Sequence, residues 1–134
     1  MTPVPVTLAT AAAAVFVNLW LGWRVIGARR EAGVSLGDGG SEAVLRRMRA
    51  QANFIENAPL FLILLGGLEL SGAIWWLLAL LATLFVLARI AHGVGMDGGS
   101  LTRWRVVGMM SQTAALVALA LWAIVCAAGT WLGG

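Results

Sequence analysis

"RRMRAQANFIENAP", Arg46 to Pro59, sets three arginines, an asparagine and a glutamate against the start of a long apolar run. At ~100° per residue, Arg46, Arg49, Asn53 and Glu56 fall within about an 80° wedge of one helix face. Arg49 and Asn53 are one turn apart, as are Asn53 and Glu56, so a polar ladder runs down the helix. Pro59, three residues beyond the glutamate, is expected to kink the helix and free a backbone carbonyl. Such groups are expensive at membrane depth unless each has a partner and a purpose. Whether this helix enters a membrane therefore decides the fold.

Composition says that it does. Of 134 residues, 60% are hydrophobic and only 11% charged, and the mean hydropathy is +0.90. A soluble domain of this length would expose too much apolar surface. Four segments approach the ~20 residues that cross a hydrocarbon core. They lie at about 6–26, 41–70 (with a polar lead-in before Asn53), 73–92 and 104–132. Backbone polar groups in lipid must be satisfied internally, and no alternating barrel pattern is present, so the segments read as helices. The fold class is an all-α integral membrane protein, one four-transmembrane-helix bundle over residues 1–134. No basic residue precedes Arg24, so the first segment reads as a retained helix and not as a secretory signal.

The connections differ in kind. A long Gly-rich, charged loop containing Gly37–Gly40 joins the first two helices, and Ser41–Glu42 suits a helix start. "ELSGA", Glu69 to Ala73, makes the second and third an antiparallel hairpin. A second Gly-rich loop, "HGVGMDGGSLTR", leads into the fourth. All nine basic residues are arginine, and all lie in or beside loops one and three. Both loops are therefore expected on the cytoplasmic side and both termini opposite. Trp75, Trp76 and Trp131 fall towards one interface, and Trp20, Trp23 and Trp104 towards the other. Arginines at the ends of apolar runs fit this topology better than a phosphate-tracking stripe, which argues against nucleic acid.

Topology alone explains Arg46 and Arg47 well, since arginines at a helix end snorkel to the interface. It does not explain Glu56, which is too deep. Arg offers a planar fork of donors, Glu an acceptor and Asn both, so a ligand with carboxylates and an ammonium group would find partners here. Arg89 and His92 form a second cluster, one turn apart at the same end of the third helix, with Arg103 and Arg105 flanking the start of the fourth. A metal site is not expected, because the one His and the one Cys, Cys126, lie at opposite membrane faces. Cys126 reads as a small packing residue. Gly66, Gly67 and Ala11–Ala14 suit close helix packing.

The run Arg49-Ala-Gln-x-Asn53-x-x-Glu56-x-x-Pro59 resembles the signature of the MAPEG family, the membrane-associated proteins in eicosanoid and glutathione metabolism. Its R-x-x-x-N-x-x-E-x-x-P spacing is matched at every position, and chain length and helix count agree. The resemblance implies a homotrimer with glutathione as cosubstrate, bound between subunits near the cytoplasmic face. It implies that Arg49, Asn53 and Glu56 hold the glutathione peptide, with Gln51 assisting. Arg89-x-x-His92 resembles the third-helix motif of prostaglandin synthase-type members, which adds both residues to the ligand site. Counting on from His92 without a gap places Arg105 on the family's thiol-activating, catalytic arginine. A lipophilic electrophile would then reach a thiolate from the lipid. Many members carry Tyr after the motif glutamate or four residues after the histidine; this chain has Asn57 and Met96 there, and no tyrosine at all.

The function expected on these grounds is a glutathione-dependent transferase or peroxidase of the bacterial inner membrane. A non-catalytic scaffold that binds a lipid or thiol is the alternative. A small four-helix drug transporter is a third, disfavoured because Arg49 shares the face of Glu56.

Overall fold

A computed structural model describes residues 3–98 and 102–132, the last three as backbone only. It contains four helices: α1 (Pro5–Ala32), α2 (Glu42–Leu70), α3 (Trp75–Gly95) and α4 (Arg103–Leu132). All four are long and apolar enough to cross a membrane. At ~1.5 Å per residue, even α3 reaches about 30 Å, the thickness of the hydrocarbon core. The chain runs up, down, up and down. α1 packs on α2 and α3, and α4 packs on the same two from the other side. α2 and α3 touch across the middle, whereas α1 and α4 do not meet among the described residues. Phe61 and Phe85 stack at that central contact, their centroids 4.0 Å apart, among fully buried Leu21, Leu65, Leu78 and Leu119.

Helix ends depart from the apolar segments where local chemistry overrides hydropathy. α1 continues six residues past Ile26, because Arg29 to Ala32 are good helix formers and the two arginines suit a C-terminal dipole. It stops at Gly33, φ 67°, where the Gly33 and Val34 N–H groups donate to Arg30 and Arg29 carbonyls at 3.2 and 2.9 Å. α3 starts two residues later than Ala73, after Gly72 at φ 77° and extended Ile74, and it runs past His92 to Gly95. α2 is capped by Ser41, whose Oγ accepts from the Val44 N–H at 3.5 Å, and it passes through Pro59 as one helix.

The α3–α4 pairing is closest near its loop. A Cβ on Gly108 would lie 2.6 Å from both the Ala88 carbonyl and the His92 nitrogen, so the two backbones approach as only glycine allows. Gly93 plays the same part against the Trp20 ring. Trp20 therefore does not serve as a belt residue: it is half-buried under Arg24, whose guanidinium lies 4.7 Å from its ring centroid. Trp23, Trp75, Trp76 and Trp104 are exposed at the two ends, as an aromatic belt requires. The side chain of Trp131 lies outside the described residues.

The N-terminus of α1 has no cap of its own, since Val4 precedes it and no side chain of its own first turn serves. Glu69, at the far end of α2, supplies one. Its Oε1 accepts from the Val6 N–H at 2.8 Å, and its Oε2 accepts from the Thr7 N–H at 2.8 Å and the Thr7 hydroxyl at 2.7 Å. A carboxylate is the best ligand for free N–H groups at the positive end of a helix. Glu69→Leu is expected to lower stability by about 0.5–2 kcal/mol, the usual worth of a cap. Hydrogen exchange at Val6 and Thr7 should accelerate with it; unchanged protection there would show that the contact contributes nothing.

Candidate ligand site on the second helix

The ladder read from the sequence is present, and it faces outward. α2 buries Ala50, Phe54, Ala58, Phe61, Leu65 and Leu68 against the bundle. Arg49 and Glu56 are exposed on the opposite side, and Asn53 is half-buried between them. No ion pair joins Arg49 to Glu56, which are two turns apart at ~10 Å along the axis. The Asn53 side-chain oxygen is itself buried and has no hydrogen-bond partner among the described residues. Below them the exposed stripe continues through Leu60, Ile63, Gly67 and Leu70, with Ile63 70% exposed. From Arg49 to Leu70 the intervals are four, three, four, three, four and three residues.

Gln51 lies on a different face. It is half-buried towards α1, where its amide nitrogen donates to Asn18 Oδ1 at 3.5 Å beside Gly22. Arg46 pairs with Glu42 one turn back, at 2.9 Å.

Arg89 and His92 point into the bundle. Arg89 is 1% exposed and His92 4%, and all three guanidinium nitrogens of Arg89 lack a partner among the described residues. Arg89 is one turn beyond Phe85, and Gln112 one turn beyond Gly108, so both are in the half of the bundle nearest the α3–α4 loop. Gln112 is also buried, at 4%, with its side-chain oxygen unpaired. Sequence reading missed it, although a lone Gln inside a span is a signal of its own. Burial of unpaired donors and acceptors is costly, so this layer is built for polar company. The structure thus divides the expected residues: Arg49, Asn53 and Glu56 lie on the outer side of α2, Gln51 turns to α1, and Arg89 and His92 are inside.

Arg105 sits at the start of α4 and is half-buried, whereas Arg103 is exposed. Its backbone is tightly held. The Arg105 N–H donates to Thr102 Oγ1 at 3.3 Å, and that hydroxyl donates to the Gly95 carbonyl at 2.7 Å. The Arg105 carbonyl lies 3.4 Å from His92 Nδ1, a contact that suits an Nδ1–H donor. His92 therefore meets Arg105 through the main chain.

A family model for the MAPEG family matches residues 7–125. The chain belongs to the MAPEG family. A relative, the inner membrane protein YecN of Escherichia coli strain K12, is 29% identical over 97 residues, which cover 72% of this chain and 73% of that protein. YecN of Escherichia coli O6:H1 matches to the same extent. As a MAPEG member the chain is a multi-pass integral membrane protein, and its four helices are the family's four-helix membrane bundle.

Within this MAPEG chain the two positions at which the sequence resemblance leads to an expectation of tyrosine, Asn57 and Met96, have other duties. Asn57 is half-buried and donates its amide to the Asn53 carbonyl at 2.7 Å, one turn back on its own helix. Met96 is buried and joins the hydrophobic core.

Proposed function

We propose that this protein is a membrane-bound, glutathione-dependent transferase or peroxidase acting on small lipophilic electrophiles. It works as a homotrimer in the bacterial inner membrane, with loops one and three on the cytoplasmic side. The observation that carries this reading is the unpaired set Arg49, Asn53 and Glu56 on the outer face of a membrane-spanning helix. Intramembrane charges without partners are rare and mark binding sites or subunit contacts. The four-three spacing of the stripe from Arg49 to Leu70 is that of a helix seam wound against a second helix. A neighbouring α2 on that seam would cover Leu60, Ile63 and Leu70 and enclose the polar end.

The donor set fits the peptide. Glutathione carries two carboxylates, an ammonium group and peptide amides. Arg49 offers a bidentate fork for a carboxylate, Glu56 an acceptor for the ammonium group, and Asn53 a free oxygen for an amide N–H. Arg105, whose own charge is permanent, would stabilise the thiolate electrostatically without acting as a base. The nucleophilic sulfur would then meet electrophiles that arrive through the lipid between subunits.

The test is a calorimetric titration of glutathione into the detergent-solubilised protein, with Arg49→Ala alongside. Loss of one charge-assisted contact is expected to cost about 1.5–3 kcal/mol, a roughly 10- to 150-fold weaker affinity. No saturable binding in the wild type would remove the proposal. An intact trimer that binds glutathione and turns over no electrophile would favour the scaffold reading, which the other duties of Asn57 and Met96 already support.

A further inference from the structure

The loop between α3 and α4 holds an ion network that the reading above does not use. Asp97 is the only acid between Glu69 and the end of the sequence, and it receives two arginines from two other helices. Arg24 of α1 pairs with its Oδ2, and Arg47 Nε of α2 donates to its Oδ1 at 3.2 Å. Each arginine is anchored at a second point. Arg24 Nη1 donates to the Gly93 carbonyl at 2.7 Å, and Arg47 Nη1 donates to the Arg24 carbonyl at 3.1 Å. The Trp20 ring supports Arg24 from beneath and packs on Gly93.

An isolated exposed ion pair would hold little. Here one guanidinium grips Gly93 and Asp97 together, so it straddles Gly95. That residue's carbonyl accepts the Thr102 hydroxyl, which in turn accepts the Arg105 N–H. Gly95 and the Arg105 backbone are in direct contact, with no room for a Cβ. Any drift of Gly95 is therefore passed on to Arg105.

We infer that Asp97 is a positioning residue for Arg105: with Arg24 and Arg47 it pins the end of α3 so that the arginine at the start of α4 stays within reach of the thiol. This rests on the proposed role of Arg105. A guanidinium acts on a thiolate through a Coulomb term that weakens with distance, so a displaced Arg105 leaves the bound thiol harder to ionise. Binding of the peptide, which falls to Arg49, Asn53 and Glu56, does not pass through Asp97.

The experiment compares wild type, Asp97→Asn, Asp97→Glu and Thr102→Val. Glutathione affinity is measured by calorimetry, and ionisation of the bound thiol by its ultraviolet thiolate absorbance across pH. Hydrogen exchange over residues 93–108 is followed in parallel. Asp97→Asn should bind glutathione within about threefold of wild type. Its bound thiol should ionise about one pH unit higher, roughly a tenfold lower thiolate-to-thiol ratio at fixed pH, with faster exchange near Arg105. Thr102→Val should shift the thiol in the same direction, and Asp97→Glu should recover most of the wild-type profile. A wild type that forms thiolate and an Asp97→Asn variant with the same profile would overturn the inference alone. A wild type that binds glutathione and never forms thiolate would overturn the role of Arg105, and this inference with it. Should Asp97→Asn fail to fold, an unmoved profile in Thr102→Val overturns the inference by itself.

Discussion

Arg105→Ala is expected to keep glutathione bound and leave it as a thiol. A guanidinium that lowers a thiol's pKa by ~2 units supplies about 2.7 kcal/mol, so its removal cuts the thiolate-to-thiol ratio roughly 100-fold at neutral pH. The sign follows from charge: the thiolate is the ionised form, and only that form interacts with the cation. Activity should therefore recover as pH rises through the unassisted thiol range. The measurement is the same pair of readouts, calorimetric affinity and thiolate absorbance, with Arg49→Ala as the contrast. Arg49→Ala should weaken binding; Arg105→Ala should change affinity by no more than a few-fold. If both variants lose binding equally, the division between holding the peptide and activating the sulfur is wrong.

Gly108→Ala should be among the most destabilising single-methyl changes in the chain. The added Cβ meets the Ala88 carbonyl and the His92 nitrogen at 2.6 Å and His92 Cβ at 2.8 Å. Two of these are main-chain atoms of α3, which cannot swing aside as a side chain would. α4 must move as a body, and overpacking of this kind typically costs about 1–3 kcal/mol. Gly27→Ala is the control. It too is helical, but its Cβ would meet nothing within 4 Å. The change is expected to be neutral or to stabilise by up to ~1 kcal/mol through helix propensity. The melting temperature in detergent should thus fall for Gly108→Ala and hold or rise for Gly27→Ala. Equal melting temperatures for Gly108→Ala and wild type would mean that α3 and α4 are further apart than described.

Much of this molecule is legible in its sequence because lipid leaves few options. Once four apolar runs are recognised, helices are compelled by backbone hydrogen bonding, and the short "ELSGA" turn compels the α2–α3 hairpin. That Arg49, Asn53 and Glu56 share one face follows from helix periodicity alone, whereas its outward direction does not. What spacing could not give is the partner across space. Gln51 and Asn53 are two residues apart, yet Gln51 turns to Asn18 of α1 while the Asn53 side-chain oxygen finds no partner among the described residues. Arg24 and Arg47 count simply as positive charge in a topology rule, yet both converge on Asp97, 50 residues or more away in sequence. The placement of Asp97 as a lone acid in a Gly-rich loop was the available signal. Arg89 and His92 look like any polar pair at a helix end, and only the packing of α1 against Gly93 and of α4 against Gly95 turns them inward.

The carboxylate of Glu69 also bears on the order in which the protein is made. The first turn of α1 is synthesised more than sixty residues before the group that satisfies it. Until Glu69 emerges, the Val6 and Thr7 N–H groups have no ligand from the chain, and a helix end left so in lipid is costly. α1 therefore gains this cap only once α2 has threaded back beside it. The second helix thus completes the hydrogen bonding of the first.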